Sequence, residues 1–171
     1  IGPALAVGNT AVMLPAKPTS LTTLLLAEVF RDAGLPPGVL SVIAGDGPVV
    51  GEALCADPRL QKIFFTGSTR TGQRVMELAR ANLTDVALEL GGKSPNLVFA
   101  DADREQALAG ATFGILMNNG QNCIAGSRLL VEQTIYAEFT SALAERFNRI
   151  PVGDPLNPAT RLGPLVSAEH H

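Results

Sequence analysis

From residue 9 onward, short apolar and β-branched runs alternate with longer segments whose apolar residues recur every three or four positions. The first pattern fits strands and the second fits helices, so their interleaving predicts an α/β domain with a parallel sheet. Residues 11–14 are a short apolar run stopped by Pro15, and 19–33 carry helical spacing with Thr or Ser at the start and Gly34 as the stop. Residues 40–44 read as a second strand, 48–56 as a short helix and 62–66 as a third strand, which together predict a βαβαβ unit. A helix over 68–81 follows, then strands over 86–90 and 96–99, a helix over 103–117, a strand over 128–132 and a helix over 135–147. Residues 151–164 hold four prolines and several turn formers, so they are expected to run over a surface. The pattern as a whole predicts a Rossmann-like open parallel sheet with flanking helices.

Composition narrows the possible chemistry. The 171 residues are 46% hydrophobic and carry a formal net charge of −3, with Lys and Arg scattered singly among carboxylates. No basic stripe is present to hold a phosphodiester backbone, so nucleic acid is not an expected partner. No apolar run reaches the roughly 20 residues of a membrane span, and the chain is expected to be soluble and cytoplasmic. The two cysteines allow at most one disulfide, and the two histidines are the last two residues. No metal site of known spacing results, and no interior imidazole can activate a nucleophile. Any catalytic base must be another group.

Three places could carry chemistry. Cys123 lies between the amide-rich turn Asn118-Asn119-Gly120-Gln121-Asn122 and the small residues Ala125-Gly126-Ser127, where substrate or backbone can come close. That suits a thiol nucleophile; taken alone, it suits a half-buried, unreactive cysteine beside a turn better. Cys55, within Ala53-Leu54-Cys55-Ala56, is expected to pack on the buried face of a short helix. Glu89 is the one carboxylate in the apolar run Val86-Ala87-Leu88-Glu89-Leu90. Desolvation there would raise its pKa toward neutrality and make it a base, whereas plain alternation would turn it to solvent. Residues Gly67, Ser68, Thr69 and Gly72 open a helix directly after a strand, an arrangement suited to an anion.

Three weaker patterns are set aside. Gly91-Gly92-Lys93-Ser94 resembles the end of a P-loop, but Ala87 stands where the motif needs its first glycine. In Gly45-Asp46-Gly47-Pro48-Val49-Val50-Gly51 the third glycine comes one residue too late for the dinucleotide fingerprint. Asn82-Leu83-Thr84 matches a glycosylation acceptor, and a chain expected to be cytoplasmic would not use it.

In order along the chain, Phe65-Thr66-Gly67-Ser68-Thr69-Arg70-Thr71-Gly72, then Leu88-Glu89-Leu90-Gly91-Gly92-Lys93-Ser94-Pro95, then Gly120-Gln121-Asn122-Cys123 with Ala125-Gly126-Ser127-Arg128, resemble the cofactor-loop, glutamate and cysteine signatures of the aldehyde dehydrogenase superfamily. The resemblance implies an enzyme that oxidises an aldehyde to a carboxylic acid with NAD or NADP. Cys123 would attack the aldehyde carbon and its backbone N–H would help hold the oxyanion. Hydride would then leave for the nicotinamide, and Glu89 would activate the water that hydrolyses the thioester. Retention of Glu89 implies release of a free acid rather than transfer to coenzyme A. This reading requires sulfur and carboxylate to serve one pocket that a nicotinamide can enter.

For the cofactor, the resemblance implies pyrophosphate contacts from Gly67, Ser68, Thr69 and Gly72, adenine contacts from Gly47 and Pro48, and nicotinamide contacts from Leu90 and Gly91. The family usually reads Lys-Pro-Ala-Glu where this chain has Leu14-Pro15-Ala16-Lys17. Lys17 would favour the extra phosphate of NADP, while the loss of lysine at Leu14 weakens either cofactor. The resemblance further implies an incomplete fold: residues 1–91 as part of the NAD(P)-binding domain, 92–171 as the start of the catalytic domain, and a homodimer or homotetramer for the full-length protein. The rival readings are an inactive fragment or a non-catalytic nucleotide-binding module of the same fold, and a cofactor-free cysteine hydrolase.

Overall fold

A computed structural model describes residues 1–171, which divide into two compact units, Ile1–Glu89 and Leu90–His171. The first unit begins with a one-turn helix, α1 (Gly2–Ala6), and strand β1 (Ala11–Met13). A 3-10 turn (Lys17–Thr19) then leads into α2 (Ser20–Asp32), which ends in a Schellman arrangement. Gly34 takes φ 90°, its N–H donates to Arg31 O, and the Leu35 N–H donates to Phe30 O. These bonds satisfy two carbonyls that the helix end would otherwise orphan, and Gly34 takes the left-handed turn without steric penalty. Strand β2 (Leu40–Val42) returns parallel to β1, with Ala11 opposite Leu40 and Met13 opposite Val42.

Beyond β2 the expected helix splits. Gly47–Gly51 form a π turn and only Glu52–Cys55, α3, are α-helical. The Asp46 carbonyl accepts from both Val49 and Val50 N–H, while Gly45 has no room for a Cβ beside the Val50 side chain. Strand β3 (Lys62–Gly67), helix α4 (Thr69–Arg80) and strand β4 (Asp85–Leu90) follow, and β3 pairs with β4 rather than with β2. The βαβαβ unit predicted over 11–66 is therefore corrected to β1-α2-β2 plus a separate β3–β4 pair. Helix α3 is tied to the elements after β3. Arg74 of α4 binds both carboxylate oxygens of Glu52, at 2.7 and 3.0 Å, and Asn82 Nδ2 donates to Ala56 O. Helix α4 buries Gly72, Val75 and Ala79, one stripe at helical spacing.

The second unit is a βαβα arrangement. Strand β5 (Pro95–Val98) pairs parallel with β6 (Arg128–Val131), and helices α5 (Arg104–Leu116) and α6 (Tyr136–Asn148) cover one face. Val98, Leu108, Ala111, Phe139 and Leu143 form its core, with Leu129 and Val131 packed against it. Asp103 caps α5 by accepting the Gln106 N–H at 2.9 Å. Arg104–Glu138 and Arg146–Glu105 ion pairs join the two helices across their exposed edge. The stretch after α6 holds one isolated parallel bridge, Val152 to Leu162, and a final 3-10 turn (Ala168–His170). No helix of the chain is long and apolar enough to cross a membrane.

Candidate active site

The turn that carries Cys123 is shaped by left-handed backbone. After α5, Asn118 and Asn119 take φ of 54° and 56° and Gly120 takes 73°. Asparagine and glycine are the residues that tolerate this region. Amide side chains then fix the turn. Asn118 Nδ2 donates to Gln121 O, Asn119 Nδ2 donates to Pro164 O, and Asn119 Oδ1 accepts the Gly163 N–H at 3.2 Å. Gln121 Oε1 accepts the Val166 N–H at 3.0 Å. On the far side of the cysteine, Ala125 is buried and the Gly126 N–H donates to Gly114 O at 2.9 Å, satisfying one of the last carbonyls of α5.

Cys123 is exposed between these two anchors. Its Sγ lies 3.6 Å from Asn122 Oδ1, which also accepts the Ile124 N–H at 3.2 Å, while the Cys123 N–H has no acceptor within the protein. An exposed sulfur and a free amide thus belong to one residue. Gly92 passes close by, since a Cβ there would sit 3.4 Å from Cys123 O. Cys55 differs: it is half-buried rather than fully buried, and desolvation, aided by the Glu52 carboxylate, pushes its thiol pKa up. A thiol held protonated is a poor nucleophile.

Glu89 departs from expectation. Along β4, residues 85 and 89 face outward while 86 to 88 and 90 are half-buried, so Glu89 is exposed rather than desolvated. Of the two readings of this carboxylate, alternation accounts for its exposure. Leu90 closes β4, and Gly91 is exposed with open space where a Cβ would lie. Gly91 to Ser94 connect β4 directly to β5, with no helix of the kind a P-loop needs.

The expected anion site gathers Gly67, Ser68, Thr69 and Gly72 at the junction of β3 and α4. Gly67 ends the strand, Ser68 caps the helix, Thr69 begins it and Gly72 is buried in its first turns. Ser68 Oγ accepts the Thr71 N–H at 3.1 Å and meets Thr71 Oγ1 at 2.9 Å. The N–H groups of Thr69 and Arg70 have no protein acceptor, so two donors remain free at the positive end of a 12-residue helix. The Arg70 guanidinium makes no ion pair either. Its position in the first turn of α4, two residues after the Ser68 cap, was the signal that could have singled it out. These groups suit a diphosphate.

Gly47 and Pro48 are exposed at the start of the π turn, and Gly47 has open space on its Cα. Lys17 is not the free cation that an added phosphate would need. Its Nζ lies 2.7 Å from Asp46 Oδ1, and that carboxylate raises the lysine pKa, by hydrogen bonding first and by charge second.

Residues 1–171 match the Aldehyde dehydrogenase family over their whole length, and the chain belongs to that family. It is 46% identical over 172 aligned positions to retinal dehydrogenase 2 of Gallus gallus, covering all of this chain and 33% of that protein. The crystal structure of HpcC from Thermus thermophilus matches with 48% identity and a TM-score of 0.96, over 98% of this chain and 33% of that one. Betaine aldehyde dehydrogenase from Staphylococcus aureus, solved in complex with NAD+, matches with 41% identity and a TM-score of 0.95, over 98% and 33%. The chain spans about a third of the length of the relatives it matches. The predicted α/β architecture, with parallel strand pairing and flanking helices, holds.

Proposed function

We propose that the protein containing this chain oxidises an aldehyde to a carboxylic acid with NAD+ or NADP+, using Cys123 as nucleophile and Glu89 as base. The observation that carries the reading is the pairing, in one residue, of an exposed sulfur and a backbone N–H without a partner. A thiolate at Cys123 adds to the carbonyl carbon, and the oxygen that gains charge can accept the Cys123 N–H. The bound dinucleotide supplies the acceptor for the hydride, with its two electrons, that departs from the aldehyde carbon. A thioester remains on Cys123. Glu89 takes a proton from water, the resulting hydroxide adds to the thioester carbon, and the C–S bond breaks to return the thiolate and release the acid.

Residues 1–91 then serve the cofactor and 92–171 begin the catalytic domain. The free N–H groups of Thr69 and Arg70 and the Ser68 hydroxyl would hold the pyrophosphate between Gly67 and Gly72, Gly47 and Pro48 would serve the adenine, and Leu90 and Gly91 the nicotinamide. A cytoplasmic homodimer or homotetramer belongs to the same reading. A small aldehyde is the partner.

In the intact protein, Cys123→Ala should abolish aldehyde-dependent cofactor reduction while nucleotide binding persists. Glu89→Gln should allow one stoichiometric burst of reduced cofactor and leave the acyl group on the protein, visible as a mass increase. Undiminished turnover in either variant would overturn the assignment of that residue. Binding without turnover in the unsubstituted protein would favour the non-catalytic module.

A further inference from the structure

The turn before Cys123 holds a conformation that its residues do not favour by themselves. Asn118 and Asn119 lie in the left-handed region at φ 54° and 56°, with Gly120 after them. Side-chain-bearing residues stay there only where their surroundings over-determine them. The surroundings here are the loop that follows α6. Its base is fastened to that helix by the Ile150 N–H, which donates to Phe147 O at 3.1 Å. The loop then closes on itself: the Pro151 carbonyl accepts the N–H groups of Arg161 and Leu162 at 2.9 and 3.1 Å, and the Gly153 N–H donates to Leu162 O at 3.0 Å. Residues 163–166 therefore reach the turn from a fixed base. Asn119 meets them with both ends of its amide, accepting from Gly163 and donating to Pro164, and Gln121 accepts from Val166.

We infer that Asn119 and Gln121 are positioning residues for the Cys123 sulfur, acting through residues 163–166 of this loop. The inference rests on the reading of Cys123 as nucleophile given above. Downstream of the sulfur, the Gly126 N–H is bound to Gly114 O at 2.9 Å, so residues 122–125 hang between two fixed points, one on α5 and one on the loop. Without the amide bonds only the α5 end remains. The turn is then free to leave its left-handed path, and the sulfur shifts against an incoming carbonyl. Attack needs the reacting atoms about 3 Å apart and aligned, so a small shift slows the chemistry. None of the residues assigned to the cofactor belongs to the turn or to the loop.

The test measures the first turnover of cofactor reduction in the intact protein, beside calorimetric binding of NAD+. Asn119→Gly keeps a residue at home in the left-handed region and deletes the amide, and Gln121→Leu deletes the acceptor for Val166. Each should slow the first turnover about tenfold and leave the NAD+ dissociation constant where it was. The double variant should be little slower than the worse single one, because both amides act through one loop, whereas independent losses multiply. Gln121→Glu keeps an oxygen for the Val166 N–H and should recover most of the rate. If the variants melt earlier yet turn over at the unsubstituted rate, the bonds serve the fold alone and the inference falls; it falls also if the two losses multiply. Should Asn119→Gly fail to fold, Gln121→Leu against Gln121→Glu decides, and equal rates in those two overturn the inference. If Cys123→Ala still reduces cofactor, the nucleophile reading falls and takes the inference with it. If Cys123→Ala is inert while the amide variants run at full rate, only the inference is lost.

Discussion

The side-chain oxygen of Asn122 serves two donors, the Cys123 sulfur at 3.6 Å and the amide of the next residue, Ile124, at 3.2 Å. The half-buried asparagine therefore sets both the direction of the thiol and the path of the backbone that leaves it. Asn122→Leu keeps the branch at Cγ and removes the acceptor. In the intact protein it should slow the first chemical turnover roughly tenfold to a hundredfold while leaving nucleotide affinity unchanged, since small misplacements of a reacting atom are costly. Single-turnover kinetics beside calorimetry would separate the two. A change in nucleotide affinity equal to the loss of rate would contradict the role.

The two thiols should differ in reactivity. Cys123 is exposed, whereas burial and Glu52 hold the Cys55 thiol protonated to higher pH. At neutral pH a disulfide reagent such as dithionitrobenzoate should label Cys123 first, and Cys123→Ser should remove the fast phase of the two. Peptide mapping of the early product checks this, and first labelling at Cys55 would refute it.

Two helix caps offer a contrast. Ser68 and Asp103 each accept the N–H three residues on, from Thr71 and Gln106. Ser68→Ala and Asp103→Ala should each cost about 1 kcal/mol of stability in chemical denaturation. Only the Ser68 change should also weaken dinucleotide binding, because only α4 begins at the proposed diphosphate site.

Acid should loosen the chain over a definite range. Hydrogen bonds from Arg59 hold the Asp57 pKa down at about 2, against an ordinary value of 3.8. Arg74 lowers that of Glu52, Lys62 that of Asp85, and the Ala100 N–H with the Thr134 hydroxyl that of Glu132. A depressed carboxylate stabilises the fold above its unfolded pKa and ceases to do so as pH falls through its folded one. The melting temperature should therefore hold steady near neutrality and drop between about pH 4 and pH 2. Lys17 works in the opposite sense: its raised pKa gives a contribution present below 10.5 that disappears as pH climbs past the folded value. Glu132→Gln keeps an acceptor for Ala100 and should remove part of the acid-side drop.

Much of the secondary structure was readable because its cause is local. The stripe Gly72, Val75, Ala79 and the caps at Ser68 and Asp103 place α4 and α5 within a residue or two of their predicted limits. Five residues at the start, α1, carry no periodicity to read, and the π turn depends on how Gly45 packs against Val50. The split between β2 and β3 is a matter of strand pairing between distant segments, and contacts such as Arg74 with Glu52, 22 positions apart, leave no mark in the local pattern. At the candidate site, Cys123 and Glu89 stand out through their signatures. The exposure of Glu89 follows one of its two local readings, whereas the pairing of Lys17 with Asp46, 29 positions away, is a tertiary fact that overrules single-residue expectation.

The turn before the sulfur leans on the stretch near the end of the chain, where Gly163, Pro164 and Val166 meet the side chains of Asn119 and Gln121. That stretch works as a splint. A substitution there, about forty positions from the nucleophile and bearing no reactive group, will be felt as a change in how the thiol is aimed.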